Sequence, residues 1–246
     1  MSNLVTFSVN GFEFRAEAGS SLLEALLREG FDVPHLCHHE AVTAYGSCRL
    51  CICEIAKGGR TKIATTCNYP VSAGIEVATG SEKISRLRKT IMELLLASAP
   101  ANASLKDFAA DMGVHGTRFA SMDEDNDCIL CGLCERVCSE IVGVNAICFN
   151  RRGGERKMAT PFVETSKECI ACGACVYVCP VHCIKLEQTS TMRRIDRWGR
   201  VAALQRSKES NVIFAPRPQL EHFMKLVGLP ADFYNLAPGE RPPERE

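Results

Sequence analysis

The start of the chain alternates hydrophobic and polar residues with the two-residue period of a β-strand. Residues 4–9 alternate, Asn10-Gly11 follows as a pair favoured in type I′ turns, and residues 12–14 resume the alternation. This pattern predicts a β-hairpin over residues 4–16.

Helical periodicity predicts three helices, each with a residue that favours its first turn. Ser21 opens a capping box before a helix that ends ahead of Gly30. Ser81 caps a second helix, and Pro218 begins a third that ends at Gly228. The apolar stripe predicted for the second helix comprises Ile84, Leu87, Ile91, Leu94 and Leu95.

Short segments rich in β-branched and aliphatic residues predict further strands. They cover residues 51–56, 61–66, 147–150, 162–164 and 184–187. Because strands joined by turns occur beside separate helices, the pattern indicates an α+β protein.

Composition narrows the class of protein. The 246 residues leave room for two or three small domains, and a formal net charge of zero gives no electrostatic reason to expect nucleic acid. No stretch is apolar and long enough to span a bilayer, and no secretory signal is visible at the N-terminus. Fifteen cysteines in such a chain indicate metal ligation in the reducing cytoplasm and argue against disulfides.

Two copies of one motif, C-x2-C-x2-C-x3-C, cover residues 128–138 and 169–179. This spacing is typical of paired [4Fe–4S] clusters, in which the fourth cysteine of each run binds the other cluster. Zinc is the main alternative, but zinc sites usually take their ligands as two separated pairs. The predicted ligand sets are Cys128, Cys131, Cys134 and Cys179 for one cluster, and Cys138, Cys169, Cys172 and Cys175 for the other.

A further set of cysteines follows the predicted hairpin and first helix, and consists of Cys37, Cys48, Cys51 and Cys67. This is the layout of a plant-type [2Fe–2S] domain, with a longer gap before the C-x2-C pair than plants use. Backbone N–H groups of Gly46 and Ser47 can face the cluster. One of His35, His38 and His39 could replace a thiolate, but four available cysteines make that unnecessary.

The segments 34–37, 46–51 and 64–71, together with the paired motifs and residues 143–146, resemble a known family. This family is the N-terminal iron–sulfur module of the large iron–sulfur subunit of NADH:quinone oxidoreductase. Similar modules are the diaphorase small subunit of NAD-reducing hydrogenases and a part of NAD-linked formate dehydrogenases. The resemblance covers roughly residues 1–190. It implies a β-grasp [2Fe–2S] domain followed by a bacterial-type 2[4Fe–4S] ferredoxin domain.

The chain departs from that family in one region. The family carries one histidine and three cysteines that bind another [4Fe–4S] cluster, whereas here Ala99 stands at the histidine position and no cysteine lies between Cys67 and Cys128. The comparison implies that this cluster is lost while its helical scaffold remains. The predicted divisions are residues 1–80 for the [2Fe–2S] domain, 81–122 for the connector, 123–190 for the dicluster domain and 191–246 for a partner-docking extension.

Several residues fall outside the predicted clusters. Cys53, Cys148 and Cys183 occupy small or aliphatic positions and are expected to behave as core residues. Residues 193–200 form a basic cluster with the only Trp, which is either a solvated surface or a docking patch. Residues 238–246 carry too little apolar surface to fold alone.

These features predict an electron-transfer subunit without a substrate-converting site of its own. The resemblance implies a flavoprotein partner that carries FMN and binds NAD(H), and a distal catalytic subunit such as a hydrogenase, a formate dehydrogenase or another low-potential reductase. Electron bifurcation stays open. The alternatives are the iron–sulfur subunit of a succinate or fumarate dehydrogenase type complex and a structural zinc protein.

Overall fold

The computed structural model describes residues 3–241 and divides into two compact units, Met1–Leu133 and Cys134–Glu246. Helices and antiparallel or mixed sheets occur in separate segments of the chain, which confirms the predicted α+β class. No helix among the described residues is both long and apolar enough to cross a membrane.

A five-stranded sheet forms the base of the first unit, with strand order β2-β1-β5-β3-β4. β1 and β5 run parallel, and the other neighbours are antiparallel. The predicted hairpin over residues 4–16 and the predicted strands over residues 51–56 and 61–66 are confirmed to within about one residue. The strands are β1 (Leu4–Val9), β2 (Phe12–Glu17), β3 (Ile52–Lys57), β4 (Arg60–Thr65) and β5 (Glu76–Ala78).

The first hairpin turn has the geometry that its sequence predicts. Asn10 and Gly11 adopt φ values of 52° and 88°, the left-handed pair that a type I′ turn requires. The Asn10 amide also donates to the Thr79 hydroxyl at 2.9 Å and accepts from the Thr79 N–H at 3.0 Å. These two bonds attach the turn to the end of β5.

One helix closes the core of this unit against the sheet. α1 (Leu22–Arg28) begins at Ser21, whose hydroxyl accepts from the Glu24 N–H at 3.5 Å. Because its apolar residues face the strands, the helix and sheet bury a shared core. That core includes Phe7, Val9, Leu22, Leu23, Leu26, Ile55 and Val77.

The second helix, α2 (Glu82–Ser98), begins at Ser81 as predicted, but its buried stripe differs from the prediction. Leu87 and Leu94 are exposed. The buried row follows i, i+4 spacing through Ile84, Arg88, Met92 and Leu96. The apolar stripe predicted from the sequence was wrong because a charged residue, Arg88, occupies the centre of the buried face. A third helix, α3 (Ala103–Asp111), follows α2.

In the second unit a helical turn, α4 (Leu133–Arg136), leads into a π-helical turn over Val137–Ile141. Two small sheets follow, a β6-β7 pair and a four-stranded antiparallel sheet of order β11-β10-β9-β8. The remaining elements are β6 (Cys148–Asn150), β7 (Lys157–Ala159), α5 (Ala174–Tyr177), β8 (Leu186–Gln188), β9 (Met192–Ile195), β10 (Arg200–Arg206), β11 (Ile213–Pro216) and α6 (Arg217–Val227).

Two predictions for this unit are corrected. Residues 162–164 are not a strand, because Phe162 and Val163 adopt left-handed φ values of 58° and 62° within a 3-10 turn. β6 pairs instead with β7. The predicted division at residue 190 falls within a continuous sheet, since β9 pairs with β8 across it. The prediction about residues 238–246 lies largely outside the described residues.

Candidate metal centres

The four N-terminal cysteines of the predicted [2Fe–2S] set are all buried, and Cys67 lies in a 3-10 turn (Thr66–Asn68) that follows β4. Backbone N–H groups point at two of their sulfurs. Leu36 donates to Cys48 Sγ at 3.4 Å, and Cys48 donates to Cys37 Sγ at 3.3 Å. Such donors stabilise negative charge on sulfur, as the ligands of an iron–sulfur cluster require.

Polar contacts beneath this loop hold its conformation. Thr66 donates to the Cys51 carbonyl through its N–H at 3.0 Å and its hydroxyl at 2.9 Å. The Ser21 hydroxyl donates to the Cys67 carbonyl at 3.1 Å. Because Thr66 is fully buried, these bonds fix the ends of β3 and β4 from which the cysteines project.

Hydrogen bonds among these buried thiols shift their pKa values in opposite directions. The pKa of Cys37 is lowered because the thiols of Cys48 and then Cys67 donate to it. The pKa values of Cys48 and Cys67 are raised, first by donating to Cys37 and also by burial. Four buried sulfurs cannot all ionise without positive charge among them, and an iron–sulfide core supplies that charge. The residues therefore fit the predicted group.

A buried arginine supports the same loop, and sequence reasoning missed it. Arg88 on α2 donates from Nε to the Leu50 carbonyl at 3.1 Å and from Nη2 to the Ile52 carbonyl at 2.8 Å. Its Nη2 also lies 3.7 Å from Cys53 Sγ. Burial lowers the pKa of Arg88 and raises the pKa of Cys53 to about 11. The only sequence signal was a basic residue on a helix face of aliphatic neighbours.

The histidines beside Cys37 make local contacts of their own. His38 Nε2 lies 3.4 Å from Glu24 Oε1, and burial lowers the pKa of His38. His35 Nδ1 lies 2.8 Å from the Val33 carbonyl, and His39 Nδ1 accepts the Ala41 N–H at 3.2 Å. These contacts engage one ring nitrogen of each histidine with groups other than the cysteines.

One of the predicted [4Fe–4S] ligand sets comes together within the second unit. The four thiols of Cys138, Cys169, Cys172 and Cys175 surround a cavity. Across residues 3–241, no three His, Cys, Asp or Glu side chains are arranged to hold a single metal ion. The Ala146 N–H donates to one of the sulfurs, Cys138 Sγ, at 3.3 Å. Apolar side chains complete the lining, so the donor set fits a buried cluster. The lining includes Cys138, Cys169, Cys172, Cys175, Val142, Ile147, Ile170 and Ile195.

The ligands of the other predicted [4Fe–4S] cluster belong to both units. Cys128 and Cys131 are buried in the first unit, and Cys134 and Cys179 are buried in the second. This ligand set stays a prediction from the motif.

The duplicated motif is also duplicated in backbone conformation. Leu130 and Ala171 hold the same position in the two copies and have left-handed φ values of 53° and 57°. Left-handed φ costs roughly 1–2 kcal/mol for a residue with a side chain. Neither residue suggests this conformation by its type, so the sequence could not reveal it.

The basic segment 193–200 proves to be largely structural. Trp198 is buried, and its Nε1 donates to Cys175 Sγ at 3.3 Å. Arg193 donates from Nη1 to the carbonyls of Ala171 and Cys172 at 3.2 and 3.4 Å. Arg197 donates to the Cys183 carbonyl at 3.1 Å. The prediction of a solvated face or a docking patch is therefore wrong for Trp198, which packs on the cysteine site.

The three cysteines outside the predicted sets differ in burial. Cys53 and Cys183 are buried, as expected for core residues, whereas Cys148 is only half-buried in β6. Cys183 Sγ lies 3.5 Å from Cys179 Sγ, and its thiol lowers the pKa of Cys179 to about 6. None of the fifteen cysteines forms a disulfide.

Two family models match the two cysteine-rich regions of the chain. Residues 2–82 match the family described as "2Fe-2S iron-sulfur cluster binding domain", and residues 127–197 match "4Fe-4S dicluster domain". The fold and these matches define an iron–sulfur electron-transfer protein with a [2Fe–2S] domain and a dicluster domain.

Individual relatives indicate which kind of iron–sulfur protein this chain is similar to. The chain is 32% identical over 173 residues to the alpha subunit of the NADPH-Fe(3+) oxidoreductase of Geobacter sulfurreducens, covering 61% of this chain and 20% of that protein. It is 27% identical over 202 residues to an NADH-quinone oxidoreductase subunit of Rickettsia prowazekii, covering 72% and 29%. A chain of a solved NAD+-reducing [NiFe]-hydrogenase is 30% identical with a TM-score of 0.57, covering 63% of this chain and 74% of that one.

This chain thus belongs to the family of iron–sulfur subunits of NAD(P)H-linked oxidoreductase complexes. It spans less than a third of the length of the curated relatives named above.

Proposed function

We propose that this chain carries electrons through one [2Fe–2S] and two [4Fe–4S] clusters inside a cytosolic NAD(P)H-linked oxidoreductase complex. Each cluster supplies one-electron redox chemistry, and the chain supplies thiolates, N–H donors and a dry environment. The proposed [2Fe–2S] ligands are Cys37, Cys48, Cys51 and Cys67. The proposed [4Fe–4S] ligands are Cys128, Cys131, Cys134 and Cys179 for the first cluster, and Cys138, Cys169, Cys172 and Cys175 for the second.

One contact within the first unit carries this proposal. The Ser47 hydroxyl, just before Cys48, donates to the Leu130 carbonyl at 3.3 Å. Leu130 lies between Cys128 and Cys131, so the [2Fe–2S] loop touches the loop of the first [4Fe–4S] motif. This contact supports direct electron transfer between the two proposed clusters. The lost cluster, which one histidine and three cysteines hold in the family, is then not needed to connect them.

The flavoprotein partner, with FMN and an NAD(H) site, and the distal catalytic subunit are part of the same proposal. Support comes from the relatives, whose names describe subunits of NADH, NADPH and NAD+-linked enzymes. The sequence contains no nucleophile–base arrangement or Gly-rich dinucleotide loop, which supports a chain without a substrate-converting site of its own.

The first test is the metal content of chain purified without oxygen. We expect a brown protein with about ten irons per chain, from the three cluster types. The chain alone should not be reduced by NADH, and the same chain with its co-purifying flavoprotein should be. A colourless protein that holds zinc would exclude electron transfer.

The route is tested by electron paramagnetic resonance of the reduced chain. Neighbouring paramagnetic clusters broaden each other's signals, so the [2Fe–2S] signal should sharpen in Cys128→Ser, which removes a ligand of the first [4Fe–4S] cluster. Cys169→Ser, at the matching position of the second motif, is the control and should leave the broadening in place. Equal effects of both substitutions would contradict the direct route.

A further inference from the structure

The segment 192–198, β9 and the turn after it, covers the cysteine site of the second unit. Ile195 is buried and lines the same cavity as Cys175. Trp198 is buried beside it and directs its indole N–H at Cys175 Sγ, 3.3 Å away. This N–H is a donor only, so the sulfur must be the acceptor.

A cation lies against the ligand loop of the same site. Arg193 is half-buried, and its Nη1 donates to the carbonyls of Ala171 and Cys172, which are part of the ligand loop. Its Nε donates to Gln188 Oε1 at 2.9 Å, which fixes the guanidinium over the loop. Arginine stays charged in proteins, so the loop carries a permanent positive charge.

Both features favour the reduced form of a cluster. Reduction adds one negative charge that spreads over the sulfurs, and a hydrogen bond to sulfur stabilises that charge. A nearby cation acts in the same direction, and low dielectric inside the protein strengthens both effects.

We propose that Trp198 and Arg193 raise the reduction potential of the [4Fe–4S] cluster held by Cys138, Cys169, Cys172 and Cys175. Trp198 acts on the Cys175 sulfur directly, and Arg193 acts through the carbonyls of the ligand loop. The inference rests on the proposed cluster at this site. The region after residue 190 would therefore help to set the reduction potential of this [4Fe–4S] cluster.

The decisive variant is Trp198→Phe, which keeps an aromatic ring in the buried position and removes the N–H. Redox titration followed by electron paramagnetic resonance should show one [4Fe–4S] potential lowered. The expected change is several-fold to about tenfold in the one-electron equilibrium constant, up to about 59 mV. Because indole does not titrate, the change should be independent of pH. Arg193→Gln should lower the same potential.

The matched control is Arg194→Gln. Arg194 is the next residue of β9, but it is exposed and pairs with Asp196 at 2.8 Å. Its loss should leave all potentials unchanged. Intact clusters with an unmoved potential in Trp198→Phe, or an equal shift of every cluster, would overturn the inference.

A measurement on the unmodified chain covers the case in which Trp198→Phe loses the cluster. Electron–nuclear double resonance of the reduced chain, prepared in H2O and in D2O, should detect an exchangeable proton coupled to one [4Fe–4S] cluster. Labelling the single Trp with 15N at the indole should identify its source. Absence of an indole coupling would refute the tuning role, whereas absence of any [4Fe–4S] signal would refute the proposed function itself.

Discussion

Replacing Arg88 by methionine tests whether a buried charge holds the [2Fe–2S] loop. Methionine has a similar length and no donors, so Arg88→Met leaves the carbonyls of Leu50 and Ile52 without their side-chain donor. These carbonyls flank Cys51, one of the proposed ligands. The substitution therefore acts on the backbone from which the thiolate projects.

The expected cost follows from the two bonds. A hydrogen bond to a charged group contributes about 1.5–3 kcal/mol, so two of them contribute roughly 3–6 kcal/mol. The variant no longer has to desolvate a guanidinium, which offsets part of that loss and leaves a net destabilisation of about 2–4 kcal/mol. If iron is lost through opening of this loop, the rate of loss should rise roughly thirty- to several hundred-fold.

The assay is bleaching of the visible [2Fe–2S] absorbance by an iron chelator, without oxygen or denaturant. Arg88→Lys keeps a charge but only one of the two donating arms, and should fall between wild type and Arg88→Met. Arg86→Met is the control, because Arg86 lies on the same helix with its side chain 75% exposed. Equal bleaching rates in Arg88→Met and Arg86→Met would refute the reasoning.

Three further predictions follow from the same geometry. Gly46→Ala should lower the [2Fe–2S] content, because Gly46 has a φ of 69° and a Cβ there would lie 3.0 Å from Asn68 Nδ2. The control is Gly58→Ala, which should leave the content unchanged because Gly58 has a similar φ of 56° but open space around it. Cys179→Ala should reduce iron by about four atoms per chain, and Cys183→Ala should not, as iron analysis can measure. Removal of iron should raise amide hydrogen exchange in the loops around each cysteine set, because metal binding contributes to folding; unchanged protection would contradict this.

The sequence revealed those features that depend on spacing and local turn chemistry. The cysteine runs, the Asn10-Gly11 turn and the Ser21 and Ser81 caps depend on neighbours a few residues away, and the structure agrees with the predicted turns and caps. The cysteine ligand sets themselves stay predictions. Periodicity failed on α2 because the partners of Arg88 are backbone carbonyls at residues 50 and 52. A periodic pattern of side-chain types does not show which backbone carbonyls a buried side chain will bind.

Trp198 was misjudged for a related reason. Arginines around a lone Trp suggest a surface patch when only composition is considered. In the structure, the indole N–H has a sulfur acceptor 23 residues earlier, and Arg193 binds carbonyls of the same loop. The pairing of β9 with β8 brings these groups together, and the sequence only hinted at it through a predicted strand at residues 184–187.

The duplicated motif raises the question of how two like ligand loops can differ in function. Both copies share the left-handed backbone at Leu130 and Ala171, so the two loops have this backbone feature in common. One difference comes from a residue outside the repeat. The chain has a single Trp, and its indole N–H is directed at Cys175 of the second copy. One copy alone can therefore receive this donor, and under the proposal made above the region after the repeat raises the potential of that copy's cluster.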